Sequence, residues 1–115
     1  MNKKISVRFY RTQTGNEPVR NWLKSLSKEE RFTIGTSIKI VEYGWPIGMP
    51  TCRSLGNGLF EVRINLSTNR IARVIFCVFD NSMILLHGFI KKTAKTPKSA
   101  LDLAKDRKKQ LETND

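Results

Sequence analysis

Histidine, cysteine and paired carboxylates are scarce in this chain, and each shortage removes a class of chemistry. The 115 residues hold one histidine, His87, and two cysteines, Cys52 and Cys77, with no Cys-x-x-Cys and no Cys/His companion spacing. A structural zinc site takes about four such ligands, so zinc is not expected as a framework. Both cysteines read as reduced thiols, Cys77 as a small apolar filler inside a β-branched run. The ten acidic residues are scattered, without the paired carboxylates of a two-metal nuclease. A nucleophile–histidine–acid triad cannot be assembled around one core-type histidine. Neither GxxxxGK[ST] nor GxGxxG occurs, so no nucleotide cofactor is expected, and no metal. No apolar stretch approaches the roughly 20 residues of a spanning helix, which makes a membrane partner unexpected and a soluble, cytoplasmic protein the expectation.

What the chain has in excess is positive charge. Lys and Arg number 21 against 10 Asp and Glu, a formal +11. Eight of the basic residues precede residue 32, five lie between 39 and 73, and eight between 91 and 109, so no detachable tail carries the charge. Such a surplus costs self-repulsion and favours a polyanionic partner, nucleic acid above all. With 39% apolar residues in 115, the chain has material for one core. A single domain over 1–115, ordered over about 5–112, is expected.

Periodicity supplies the order of elements. Ile5, Val7 and Phe9 alternate with polar residues, a first strand. After Gly15-Asn16, Pro18 opens a helix carrying Val19, Trp22, Leu23 and Leu26. Ser27-Lys28-Glu29-Glu30 is a capping box for a second helix, which carries Phe32, Ile34, Ile38 and Val41 and stops at Gly44. Residues 44–58, with four glycines and two prolines, read as a loop across the surface. Three strands in consecutive hairpins follow, over 60–66, 70–79 and 82–92. Thr96 as N-cap and Pro97 as first helical residue then open a last helix with Ala100, Leu101, Ala104 and Leu111. The fold class is α+β, in the order β-α-α-β-β-β-α, with a largely antiparallel sheet.

The turns set an expected register. A two-residue turn at Asp80-Asn81 and a three-residue loop at 67–69 place Arg63 opposite Arg73, Arg73 opposite Gly88, and Lys92 opposite Asn69. Glu61 shares that face. Like charges directly opposed destabilise a sheet unless an anion or a carboxylate lies between them. Gly88 would leave a bare floor where a phosphate or sugar approaches the backbone. The opposite face, with Phe60, Val62, Ile64, Ala72, Val74, Phe76, Met83, Leu85, His87 and Phe89, is the expected core face for the helices. His87 is read there as buried and neutral in preference to catalytic, a reading that a one-residue slip would reverse.

With triads, metal pairs and nucleotide loops set aside, metal-free phosphodiester chemistry on RNA remains. There the nucleophile is the substrate's own 2′-hydroxyl. The protein need only align the backbone and stabilise charge on the phosphorane and the leaving oxygen. Arg63 and Arg73 would clamp non-bridging oxygens, and Lys91 or Lys92 would neutralise developing charge or donate to the leaving group. For the base, Glu61 and a lysine of lowered pKa both stand as candidates. The run 89–98 holds four lysines and no acid. Lys95 and Lys98 in it, with Arg70 and Asn69 beside the first hairpin, suit binding of an RNA backbone.

Three segments carry a resemblance: Gly58-Leu59-Phe60-Glu61-Val62-Arg63-Ile64, then Arg70-Ile71-Ala72-Arg73-Val74-Ile75-Phe76, then Leu86-His87-Gly88-Phe89-Ile90-Lys91-Lys92-Thr93 with Lys95-Thr96-Pro97. Together they resemble the HigB-like, phage-derived branch of the RelE/ParE toxin superfamily, over about residues 5–112. The resemblance implies a RelE/ParE-like fold with two N-terminal helices packed on a twisted sheet. It implies a toxin that enters the ribosomal A site and cuts mRNA, leaving a 2′,3′-cyclic phosphate and a 5′-hydroxyl. Partners implied are mRNA, the rRNA of the small ribosomal subunit and a cognate helix-turn-helix, HigA-like antitoxin. By motif, Arg73 falls on the family's central sheet arginine, Arg63 on the arginine of the strand before it, and Lys91 and Lys92 on the basic pair ending the last strand. The chain departs from members with a tyrosine or histidine near the C-terminus, since no tyrosine follows Tyr43. Two other functions stay open on the same residues: a gyrase-poisoning toxin that cuts nothing, and a plain RNA-binding module.

Overall fold

The computed structural model describes residues 2–67, 69–91 and 95–113. Its elements are β1 (Ser6–Phe9), α1 (Pro18–Lys24), α2 (Lys28–Gly44), β2 (Cys52–Gly56), β3 (Leu59–Asn65), β4 (Ile71–Phe79), β5 (Ser82–Lys91) and α3 (Lys98–Thr113). Local chemistry accounts for the boundaries. Pro18 occupies the first turn of α1, where a missing N–H costs nothing. At the start of α2 the Glu30 amide donates to the Ser27 hydroxyl at 3.1 Å, as the capping box requires. Asp80 and Asn81 both sit at positive φ, 51° and 59°, the conformation a two-residue hairpin turn demands.

The strands form one five-stranded sheet in the order β1-β5-β4-β3-β2, antiparallel except for the parallel pair β1–β5. The α+β class and the run of one strand, two helices, several strands and a closing helix are as expected. One strand, β2, lies where a glycine/proline-rich loop was read. Cys52 is buried, pairing with Val62, and Arg53 pairs with Glu61. The alternation spans too few residues to stand out among neighbouring turn residues.

A second correction concerns the faces. The helices do not share one side. Val19, Ile34, Ile38 and Val41 of α1 and α2 pack on Val62, Ile64, Ala72, Val74, Phe76, Met83 and Leu85. Helix α3 covers the other face, where Ala100 and Ala104 meet Leu59, Ile75, Cys77, Ile84 and Leu86. The face expected to be an open charged surface is therefore a second core along much of its length.

The third correction is a register shift. Phe79↔Ser82 through Phe76↔Leu85 follow the expected pairing, but the next pair is Ile75↔His87, then Val74↔Gly88 and Arg73↔Phe89. Leu86 is an extra residue, a β-bulge, and beyond it every side chain of β5 changes face relative to the expectation. Arg73 thus opposes Phe89, not Gly88. His87 and Phe89 lie on the α3 side rather than with Met83 and Leu85, and His87 is half-buried. The expected Lys92–Asn69 pairing lies outside the described residues, as does Lys92 itself.

Gly88 acquires a different reason to be glycine. A Cβ built there would lie 2.4 Å from Cε3 and Cζ3 of Trp22, so α1 docks by pressing an indole onto bare backbone. Gly88→Ala should cost about 1–3 kcal/mol of unfolding free energy through overpacking, read from denaturant melts. Shrinking the indole as well, in Trp22→Leu/Gly88→Ala, should remove that increment relative to Trp22→Leu alone. A Gly88→Ala protein as stable as wild type would refute this packing.

Candidate functional site

Toward the Ile71–Lys91 end of the sheet, the α3 face turns from apolar to charged. Arg63 and Arg73 are direct cross-strand partners on β3 and β4. On β2, Arg53 pairs with Glu61 of β3. On β5, Phe89 faces Arg73 and Lys91 faces Ile71. Because the side-chain period is two, Arg53, Glu61, Arg63, Arg73, Phe89 and Lys91 share one side.

The middle of this group is dry. Glu61 is 0% and Arg73 2% exposed. Arg73 Nε stands 3.6 Å from Glu61 Oε1, an ion pair too long to be a hydrogen bond. The guanidinium Nη1 donates to the carbonyl of Ala72 at 3.0 Å. Glu61 Oε2 accepts from the Thr96 hydroxyl at 2.6 Å. Thr96, expected to cap α3, thus turns its side chain onto the carboxylate, and the helix begins one residue later than expected, at Lys98. Three buried atoms in the cluster have no hydrogen-bond partner among the described residues: Glu61 Oε1, Arg73 Nε and Lys91 Nζ. Buried donors and acceptors are nearly always satisfied, so three together single this cluster out as the candidate site.

Electrostatics point the same way. Burial lowers the Arg73 pKa below its ordinary value; Arg63 lowers it further and Glu61 opposes. Burial is also the largest cause holding Lys91 below 10.5; Glu61 opposes that shift, while Arg73, Arg63 and Arg53 reinforce it. Lys91 Nζ lies 5.8 Å from the centre of the Phe89 ring, in cation–π range. Arg63 is half-buried, and its Nη1 has Met49 Sδ at 3.6 Å, a weak acceptor.

Other expected site residues fall elsewhere. Arg70 is ion-paired with Glu30 of α2, on the opposite side of the sheet, and tethers the β3–β4 loop to the helix. Asn69 takes the positive-φ position of that loop and lines a shallow hollow with Arg70, Asn65, Leu66 and Ile71. Lys95 and Lys98 are exposed at the approach to α3. Sequence reasoning missed Arg53, hidden in the segment read as loop, and Arg107. Arg107 Nη1 donates to the carbonyl of Leu86 at 2.7 Å, satisfying the residue that the bulge adds, and its guanidinium lies 5.6 Å from the centre of the Tyr10 ring.

His87 stacks on Phe89, centroids 5.3 Å apart and planes 25° from parallel. Burial, then the charge of Arg107, lowers its pKa below 6.5, so the imidazole is neutral at pH 7. The thiols of Cys52 and Cys77 are pushed up to about 11, chiefly by burial, which keeps them protonated and poorly nucleophilic. Among the described residues no three of His, Cys, Asp and Glu are grouped to hold a metal ion. No helix among them is long and apolar enough to cross a membrane.

The lowered His87 pKa makes stability depend on pH. As pH falls through 6.5 the unfolded chain takes up a proton that the folded chain resists, so the folded state loses stability on acidification in that window. Between pH 7 and 5.5, His87→Gln should flatten this slope in thermal or denaturant unfolding. An unchanged slope would mean that the imidazole is not desolvated.

No curated relative matches the chain. Residues 21–109 match the family described as Phage derived protein Gp49-like (DUF891). That span runs from α1 into α3 and includes Arg53, Glu61, Arg63, Arg73, Lys91, Thr96 and Arg107. The chain belongs to this phage-derived Gp49-like family, a family of the RelE toxin type.

Proposed function

We propose that the protein is a HigB-like toxin of a type II toxin–antitoxin system that cuts mRNA on the ribosome. The observation that carries the reading is the dry cluster of Arg73, Lys91 and Glu61, with three unpartnered polar atoms beside the cationic side chains of Arg63 and Arg53. A buried cation without a hydrogen-bond partner destabilises a fold, and a phosphodiester supplies the missing acceptors.

In the proposed reaction the 2′-hydroxyl oxygen attacks the adjacent phosphorus and loses its proton to water. The P–O5′ bond breaks, and the products are a 2′,3′-cyclic phosphate and a 5′-hydroxyl. Arg63, the more accessible arginine, grips a non-bridging oxygen. Arg73, held by Glu61, adds fixed positive charge where the phosphorane develops. Lys91, its ammonium destabilised by burial, gives a proton to the departing 5′-oxygen. Glu61 is sealed beneath Thr96 and acts by positioning Arg73, so the lysine is the better proton-transfer group of the two candidates. Because the nucleophile belongs to the substrate, no metal need generate one. Lys95 and Lys98 would meet the RNA or rRNA backbone, and a helix-turn-helix antitoxin would neutralise the toxin in the cytoplasm.

Lys91→Met separates chemistry from folding. Removing an unpartnered buried ammonium should leave the unfolding midpoint at or above that of wild type, while mRNA cleavage in expressing cells, mapped by new 5′-hydroxyl ends, falls by roughly 10²–10³-fold. Arg63→Ala should lower cleavage with little loss of stability. Arg73→Ala is a poor probe, because it strands Glu61 as a buried charge at a cost of about 3–5 kcal/mol. Growth arrest with mRNA intact and DNA damage induced would replace the nuclease reading with gyrase poisoning. Binding of RNA without cleavage or arrest would leave only a binding module.

A further inference from the structure

His87 has no part in the proposed phosphoryl transfer, yet it stands at the edge of a cleft. Between β5 and the first turns of α3 lies a cleft of about 350 Å³ lined by His87, Phe89, Lys91, Pro97, Ser99 and Leu103, among others. That volume is near the lower end of small-ligand sites, about 300–1,000 Å³, and suits one planar group. The bulge at Leu86 brings His87 to this side, and the near-parallel stack of His87 on Phe89 gives the wall a flat π surface. Pro97 and Leu103 supply apolar contact, while the Ser99 hydroxyl and the ring nitrogens of a neutral imidazole offer a donor and an acceptor. Lys91 joins the cleft to the cationic cluster, because its ammonium lies over the Phe89 ring and is coupled electrostatically to Arg73, Arg63 and Glu61.

We infer that this cleft is a nucleobase site: the base adjoining the phosphate held by the arginine–lysine cluster stacks in the His87/Phe89 cleft. Aromatic stacking accepts any base, whereas Ser99 and His87 present hydrogen-bonding groups that discriminate among base edges. A peptide side chain would not use a phosphate cluster next door; a nucleotide uses both. The inference deepens the proposed function and rests on RNA being the ligand.

Since His87 is the sole histidine, its imidazole resonance is a unique reporter. The full-length protein is titrated by NMR with inorganic phosphate, ribose 5′-phosphate and the four ribonucleoside monophosphates. The nucleotides should shift the His87 ring signals and bind at least about 5-fold more tightly than ribose 5′-phosphate, the lower bound expected of one base stack. His87→Ala should bring nucleotide affinity down toward that of ribose 5′-phosphate while inorganic phosphate binds as to wild type, and Phe89→Leu should lower nucleotide affinity as well. Equal binding of ribose 5′-phosphate and nucleotides by the wild-type protein, or a His87 signal that no nucleotide moves, would overturn the inference without any variant having to fold. Base-dependent binding in a protein that cleaves no mRNA would keep the cleft and sink the nuclease; cleavage without base-dependent binding would do the reverse.

Discussion

Leu86 is one residue more than β4 can pair, and the direction of every side chain beyond it follows from that surplus. Before the bulge, Met83 and Leu85 point to α1 and α2. After it, Gly88 takes that direction, and only a residue without a side chain leaves room for the Trp22 ring at 2.4 Å from a would-be Cβ. The same shift puts His87, Phe89 and Lys91 on the face of Arg73. A bulge also leaves a residue outside the ladder, and here Arg107 of α3 takes the Leu86 carbonyl. One extra residue therefore couples the docking of α1, the docking of α3 and the composition of the charged cluster.

The two faces divide stability from function. On the α1/α2 side, branched and aromatic residues pack continuously, including the Trp45, Phe60 and Phe76 rings at centroid distances of 4.9–5.6 Å. On the α3 side the buried helix residues are two alanines, Ala100 and Ala104, and the apolar contact gives way to buried charge. A desolvated ion pair is weak evidence of stability, since each ion loses several kcal/mol of hydration and a length of 3.6 Å forgoes the hydrogen bond that would offset it. Well-packed apolar residues at Glu61 and Arg73 would make a more stable sheet. A sheet that carries them leans for its stability on the apolar α1/α2 face.

Much of the fold was legible because two local signals agree in this chain. Alternation in β3 and β4 and the three-residue loop read at 67–69 lead to the Arg63↔Arg73 pairing that the structure has. The pairing of Arg73 with Gly88 failed because a constant sum of residue numbers has no place for a bulge, and Gly88, a residue that can mark one, reads equally well as a close approach to the backbone. Strand β2 was hidden by the glycines and prolines around it, and Arg53 with it. The face chosen by α3 was illegible for a different reason. Its apolar positions show that it packs somewhere, and both sides of β4 are apolar, with Ala72, Val74 and Phe76 on one and Ile71, Ile75 and Cys77 on the other. Thr96 illustrates how tertiary contact overrides local preference: as a cap it would satisfy one backbone amide, whereas on Glu61 it satisfies a buried carboxylate, which is the costlier group to leave bare.

The charge surplus acquires a specific meaning once the ion pairs are placed. Glu17, Glu30, Glu42 and Glu112 are each paired with a lysine or arginine away from the cluster. The cluster itself has Glu61 against Arg53, Arg63, Arg73 and Lys91, four formal cations and one anion, or +3. Burial and these like charges both disfavour the protonated form of Lys91, whose pKa falls accordingly. In the proposed function a bound phosphodiester would reverse both effects at once: it would supply acceptors to dry donors and cancel part of the repulsion. Folding and anion binding are then linked, since anything that binds only the folded state stabilises it in proportion to the logarithm of its concentration. On the proposed reading, the lysine whose protonated form the cluster disfavours is for that reason one that a bound phosphate would change. On that reading its proton would be held more firmly once a phosphate is bound, until the 5′-oxygen, gaining negative charge as its bond to phosphorus breaks, becomes the better base.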